Sequence, residues 1–291
     1  MLKIVLPLLV AIVSLMAHDY HEDVSSVLFK SSASYMEYEN SKQKKNAYML
    51  GIGADVKKAN QKLQLWYSYK QANTYKPPLN DNVKMSKMFG RYNYTLNKKH
   101  TFNGSYMYIL DNLAPTDLGN IYGAGYKNRS IKNVQISFNQ YLSDYRDFNV
   151  NQSDLNLQYH YMLYGAAIDF HLIAKYINLV GYSNKYFNPK SKVVAPDDYF
   201  TTGVKLHVAH HGYHAGTGAF FGKRMFALME NGFVVQQHAM EFNETYMFKV
   251  GKKFKSLNVM LKYVFQEATE LPINNKNVRM NIGSLIVHYK F

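Results

Sequence analysis

The 291-residue sequence has no cysteine and one tryptophan, and 34 lysines and arginines outnumber its 20 acidic residues. The absence of cysteine excludes disulfide bridges, thiolate metal sites and cysteine nucleophiles. A mean hydropathy of −0.32 excludes a bundle of transmembrane helices, which requires repeated apolar runs of about 20 residues. Charged residues make up 19% of the chain and aromatic residues 15%. The chain is therefore not disordered, because disorder accompanies high charge and few aromatic residues.

The first 17 residues have the pattern of an export signal. Lys3 precedes an apolar run at residues 4–13, and Ala17 precedes the polar His18. A positive, then an apolar, then a small-residue region is typical of a signal peptide. The apolar run is shorter than the roughly 20 residues of a spanning helix, which disfavours a membrane anchor. We predict a signal peptide at residues 1–17 and a mature domain at residues 18–291.

The rest of the sequence alternates apolar and polar residues with a period of two. Leu155, Leu157 and Tyr159, for example, alternate with Asn156 and Gln158. This spacing is typical of strands with one apolar face. It predicts about fourteen strands, at residues 24–38, 46–57, 61–71, 84–96, 100–110, 119–127, 131–145, 150–163, 166–182, 198–210, 212–226, 238–251, 255–267 and 277–291.

The connections between these strands alternate in length. Short connections lie near residues 58–60, 97–99, 128–130, 164–165, 211–212 and 252–254. Long ones lie at residues 72–83, 111–118, 183–197, 227–237 and 268–276, and they hold most of the prolines. This alternation, with an even number of strands, is typical of transmembrane barrels. We therefore predict an all-β, antiparallel, up-and-down transmembrane β-barrel in the bacterial outer membrane, surrounded by lipid and lipopolysaccharide.

The polar phase of the strands must face the lumen, because a charge facing lipid costs about 2–4 kcal/mol at the bilayer midplane. Basic residues outnumber acidic ones in this phase, which predicts a basic wall that attracts anions. Glu244 breaks the phase, since it falls with Phe242 and Tyr246; it marks either a bulge or the outer rim. The candidate pore-lining residues are Lys87, Arg91, Asp169, His171, Lys175, Lys205, His207, Arg224, Glu241, Lys249, Lys262, His288 and Lys290.

The sequence lacks the residues expected for several other functions. Some barrel lipases resemble one another in a His-x-Ser pair. No histidine of this sequence is followed two residues later by serine, so we expect no enzyme. His207 and His214 share the luminal phase and form a candidate metal pair. No cysteine or carboxylate cluster accompanies them at ligand spacing, so we expect no metal and no cofactor. Basic residues spread over many strands of an exported chain argue against nucleic acid as a partner.

The loop at residues 226–235 is unusually apolar for an exposed connection. It contains Phe226, Leu228, Phe233, Val234 and Val235. An apolar loop seldom remains in water. It either folds into the mouth of the barrel as a constriction, contacts lipid, or extends the neighbouring strands beyond the membrane.

The C-terminal third resembles the Opr-type porins of Gram-negative bacteria. The resemblance lies in residues 222–226, in residues 238–242 and in the terminal Phe291. It implies a substrate-selective porin in which Arg224 is a family-like basic position. It also implies that Phe291 is read by the outer-membrane assembly machinery. The larger members have eighteen strands, whereas this sequence predicts fourteen.

These observations together predict a passive porin for small polar solutes, preferably anionic, that pass through a basic lumen. The alternative is a barrel that transports apolar compounds and is gated by residues 226–235. Both a monomer and a homotrimer agree with the sequence.

Overall fold

The computed structural model describes residues 24–76, 79, 81–236 and 238–291. The predicted signal peptide lies outside these residues. Among the residues described, no helix is long and apolar enough to cross a membrane. The structure is built almost wholly of strands: β1 (Val24–Glu39), β2 (Lys44–Lys58), β3 (Gln61–Thr74), β4 (Val83–Leu96), β5 (His100–Asp111), β6 (Asn120–Asn128), β7 (Val134–Asp144), β8 (Asn149–Leu163), β9 (Ala166–Val180), β10 (Asp198–His210), β11 (Tyr213–Arg224), β12 (Leu228–Met229), β13 (Val234–Val235), β14 (Met240–Phe254), β15 (Leu257–Glu270) and β16 (Asn275–Lys290).

Fourteen of these strands form a closed antiparallel barrel, in which consecutive barrel strands pair and β11 pairs with β14. β1 and β16 close the cylinder, with Ser34 opposite Ser284, and the hydroxyl oxygens of these two serines lie 2.9 Å apart. β12 and β13 form a separate two-stranded hairpin between β11 and β14. The predicted fold class and strand number are confirmed. Three short 3-10 turns, at residues 184–186, 230–232 and 271–273, lie in the longer connections.

The strands alternate as the sequence predicts because one face meets lipid and the other meets the lumen. Large apolar side chains are exposed around the outside, among them Leu50, Phe102, Leu155, Phe248 and Leu261. A water-soluble protein rarely exposes so much contiguous apolar surface, whereas a membrane barrel requires such a band. The outer face is therefore the lipid-facing surface of a transmembrane barrel.

The structure corrects the predicted turn after β14 and decides between the two interpretations of Glu244. The turn expected at residues 252–254 is strand, because β14 continues to Phe254 and pairs it with Leu257 of β15. The reversal is made instead by Lys255 and Ser256, and Lys255 has a φ of 43°. The register shifts between Phe242 and Glu244, so Glu244 marks a bulge.

The single tryptophan lies on the luminal wall of β3. Its register partner on β2 is Gly53, and Gly51 lies diagonal to it. A Cβ atom at either glycine would collide with the Trp66 ring. These glycines let the indole lie against the wall. They therefore make room for the ring on the luminal face.

Candidate functional site: the lumen and its inward loop

The connection between β11 and β14 folds into the barrel. We call residues 225–236 the inward loop. It comprises the β12–β13 hairpin and the 3-10 turn between those strands. Met225, Phe226, Ala227 and Leu228 are almost completely buried. Of the three arrangements that the apolar sequence allows, the structure has the loop inside the mouth of the barrel.

The hairpin is anchored to the walls of β8 and β9. Leu228 donates its N–H to Oε1 of Gln152 over 2.7 Å, and its carbonyl accepts from Nε2 of the same amide over 2.8 Å. Nζ of Lys175 donates to that carbonyl over 3.0 Å and to Asp154 over 2.5 Å. Satisfied polar networks of this kind rigidify the segment that they hold.

The tip of the inward loop reaches other sides of the barrel. Glu230 forms an ion pair with Lys262 of β15, and the carbonyl of Asn231 accepts from Arg91 of β4. The Phe233 ring lies 4.4 Å from the ring of Phe89, also on β4. The loop therefore spans the lumen. Lys262 and, to a smaller extent, its lysine neighbours lower the pKa of Glu230 to about 2.

An aromatic cluster supports the base of the inward loop. The Phe226 ring lies within 6.2 Å of four rings, with centroid distances of 4.8 Å to Phe148 and 5.3 Å to Tyr182 and contacts to Tyr145 and Phe187. These four belong to the connections at residues 145–148 and 181–197. Burial of such rings contributes the largest apolar areas available to a side chain. These two connections thus pack against the base of the inward loop.

Two cavities border the inward loop. The first, of about 160 Å³, we call the methionine chamber. The second, of about 260 Å³, we call the basic vestibule; it is lined by His171, Lys205, His207, Lys249 and Lys262. Lys205, Glu230, Met247 and Lys262 line both cavities and mark the junction between them. The methionines of the chamber are Met36, Met49, Met85, Met229, Met240, Met247 and Met280.

The predicted pore-lining residues fall into different surroundings. His171, Lys205, His207, Lys249 and Lys262 share the basic vestibule, and Lys87 lines the methionine chamber. Asp169 is 2.9 Å from Nδ1 of His160 and 3.7 Å from Nδ1 of His207. His288 and Lys290 lie at the C-terminal end of β16, opposite Lys30 and Leu28 of β1 respectively.

Four of the predicted pore-lining residues bind other residues of the protein. Arg91 and Lys175 bind the inward loop, as described above. Arg224 is fully buried and donates to Thr245 and, over 3.0 Å, to Oε1 of Gln236. The Glu241 carboxylate, also buried, pairs with Lys223 over 2.8 Å.

The paired histidines do come together. The rings of His207 and His214 lie 6.0 Å apart. Over the ranges that the structure describes, no group of three or more His, Cys, Asp or Glu residues is arranged to hold a metal ion.

Sequence reasoning missed several residues of this site. Gln152, Glu230 and His238 are not among the predicted pore-lining residues, although each contacts, belongs to or follows the inward loop. The methionines were missed as well. Their signal was present, because Met36, Met85 and Met280 occupy the luminal phase of their strands, where polar residues prevail.

Comparisons with known proteins bear on the fold. No protein-family model matches the sequence, and no curated protein matches it. A bacterial polysaccharide outer membrane secretin aligns with a TM-score of 0.56 and 11% identity over 91% of this chain and 98% of that chain. Omp33 of Acinetobacter baumannii aligns with a TM-score of 0.49 and 9% identity, over 91% of this chain and 99% of that one.

An Opr-type protein, OccK8 (OprE) of Pseudomonas aeruginosa, aligns with a TM-score of 0.44 and 11% identity over 91% of this chain and 98% of that chain. Opr-type porins are thus among the structural neighbours, as the sequence resemblance predicted. At these identities the similarity bears on fold alone. The fold is that of a transmembrane β-barrel, and its apolar band is the surface that such a barrel places in the membrane.

Proposed function

We propose that this barrel is an outer-membrane channel through which small polar solutes diffuse, with a preference for anions. The observation that supports the proposal is the junction beside the tip of the inward loop. Three lysines of the basic vestibule, Lys205, Lys249 and Lys262, face one carboxylate, Glu230. A basic constriction with low-dielectric walls concentrates anions and repels cations. The function requires no cofactor, nucleic acid or chemical step.

Ion selectivity in a planar bilayer tests this function. Under a KCl gradient, the sign of the reversal potential gives the permeability of chloride relative to potassium, and we expect chloride to be preferred. Lys205→Glu and Lys249→Glu should lower or reverse that preference, because each inverts a charge in the vestibule. Lys132→Glu, on an exposed turn, is the matched control and should leave it unchanged. A cation preference in the wild-type channel would contradict the proposal.

The methionine chamber favours a second candidate, transport of apolar compounds gated by the inward loop. Methionine, aliphatic and aromatic side chains together make up most of its wall. Absent conductance together with uptake of an apolar solute would favour this function over the first.

Partners of the barrel remain predictions. Lipid, lipopolysaccharide and small solutes follow from the proposed function. Phe291 is exposed and donates its N–H to Val27 over 3.0 Å, which leaves its ring available to the assembly machinery. The choice between monomer and homotrimer is open to measurement of the mass of the purified protein.

A further inference from the structure

The methionine chamber combines an adaptable apolar wall with a volume suited to one small molecule. Seven of the 14 methionines of the chain line it. Methionine is flexible and polarisable, so a wall of methionines adapts to apolar bodies of different shape. The cavity of about 160 Å³ is close to the roughly 150 Å³ that accommodates benzene in an engineered cavity.

Two lysine side chains of the chamber, Lys70 and Lys87, have no carboxylate partner among the described residues. Lys87 is only 5% exposed, and within the described ranges it has neither a salt bridge nor a side-chain hydrogen bond. Lys70, diagonal to it on β3, donates to the hydroxyl of Tyr38 over 3.2 Å. The one carboxylate that lines the chamber, Glu230, pairs with Lys262. A buried cation without a counter-ion is costly, and a bound anion would offset that cost.

A third polar group in the chamber is also unpartnered. Both ring nitrogens of His238 are buried without a hydrogen-bond partner among the described residues. Burial, followed by the charges of Lys44, Lys70 and Lys87, holds the pKa of His238 well below its usual value. The ring is therefore neutral near pH 7 and keeps one N–H donor.

We propose that the methionine chamber binds an organic monoanion with a compact apolar body. Its anionic head lies between Lys70, Lys87 and the His238 ring, and its body lies among the methionines. Thioethers and imidazole also suit Cu(I), but the neighbouring ammonium groups oppose a cation here. The inference rests on the proposed function and deepens it, because it names the class of anion that binds inside the channel during passage.

Calorimetric titration of the barrel in lipid nanodiscs at pH 6, where both lysines are protonated and the probes are ionised, tests this site with hexanoate and acetate as the probes. We expect hexanoate to bind at least about tenfold more tightly than acetate, because its extra methylenes become buried. Lys87→Met should weaken hexanoate binding by about tenfold, the effect of one charge-assisted hydrogen bond. Lys70→Met is a second variant should the first fail to fold, and Lys132→Met is the control.

A second arm tests the apolar wall. Met280→Gln should remove the preference for hexanoate over acetate and leave acetate binding unchanged. Equal binding of the two probes, or hexanoate binding that survives both lysine substitutions in folded protein, would overturn the site. So would stoichiometric Cu(I) binding that His238→Ala removes, without any hexanoate binding. Failure of the channel proposal is distinct, because it shows in the reversal potential and leaves equilibrium binding intact.

Discussion

Glu230 carries the acidic charge at the tip of the inward loop, and its ionisation anchors that tip. Lys262 is the main cause of its pKa of about 2. A carboxyl group with a lowered pKa contributes its full stabilisation above its ordinary value of about 4.3 and loses it as the pH falls toward the lowered value. The ion pair with Lys262 should therefore persist across the physiological range.

Glu230→Gln removes this ion pair at neutral pH. Because both groups are partly exposed, we expect the anchorage of the loop to weaken by only about 0.5–1 kcal/mol. Loss of the acidic charge at the junction should also raise the preference for chloride. Single-channel recording at pH 7 measures both effects as more frequent current fluctuations and a shifted reversal potential. Glu244→Gln, on the outward face, is the control, and an identical response in the two variants would contradict this role.

His238 couples the stability of the barrel to pH in the acidic range. An unfolded histidine binds a proton below about pH 6.5, whereas folded His238, with its lowered pKa, stays neutral beside Lys44, Lys70 and Lys87. The unfolded state then binds more protons, so the free energy of unfolding falls as the pH drops below 6.5. The slope from this one group is at most about 1.4 kcal/mol per pH unit.

His238→Gln should flatten this dependence between pH 7 and pH 5.5. Urea unfolding in detergent micelles at several pH values gives the free energy at each point. His211→Gln, on an exposed turn, is expected to keep the wild-type slope. If both variants had the wild-type slope, His238 would not be the group responsible.

At the scale of elements, the inward loop depends on contacts with distant strands. Gln152 satisfies both the N–H and the carbonyl of Leu228. Gln152→Ala leaves the buried N–H without this acceptor, at a cost of about 1–3 kcal/mol. We expect faster hydrogen exchange at the Leu228 amide and its neighbours in the inward loop.

The matched control for Gln152→Ala is Gln158→Ala, on the luminal phase of the same strand. Gln158 bonds Asp169 and Gln135, away from the inward loop. Exchange in the loop should be unchanged in that variant. Equal acceleration in both variants would indicate a general loosening of β8 and not a lost anchor.

The strands were predictable from the sequence because each alternates between lipid and lumen, and this alternation is local. The path of residues 226–235 was not, since it depends on Arg91, Gln152 and Lys262, which lie far away in the chain. For the same reason, the phase identifies Arg224 and Lys175 as luminal but does not reveal that each is bound to a partner. The turn after β14 was misplaced because Lys252 and Lys253 have the composition of a turn.

For the whole molecule, lipid and lumen impose opposite demands on adjacent residues of each strand. Leu155 and Asn156 lie near the middle of β8 on opposite faces, and the leucine is 50% exposed to the outside. Leu155→Arg should destabilise the barrel in lipid vesicles by about 2–4 kcal/mol, whereas a luminal charge is tolerated. Urea unfolding of Leu155→Arg and of the control Asn156→Arg measures the difference. Equal costs would contradict the assignment of the two faces.

The position of Trp66 beside Gly51 and Gly53 gives the molecule an optical reporter inside its own passage. Since no other residue of the sequence is a tryptophan, the indole emission of the protein originates at the luminal wall. Iodide and caesium both quench indole but carry opposite charges. The ratio of quenching by iodide to quenching by caesium in sealed proteoliposomes therefore measures the charge preference of the lumen without an electrode.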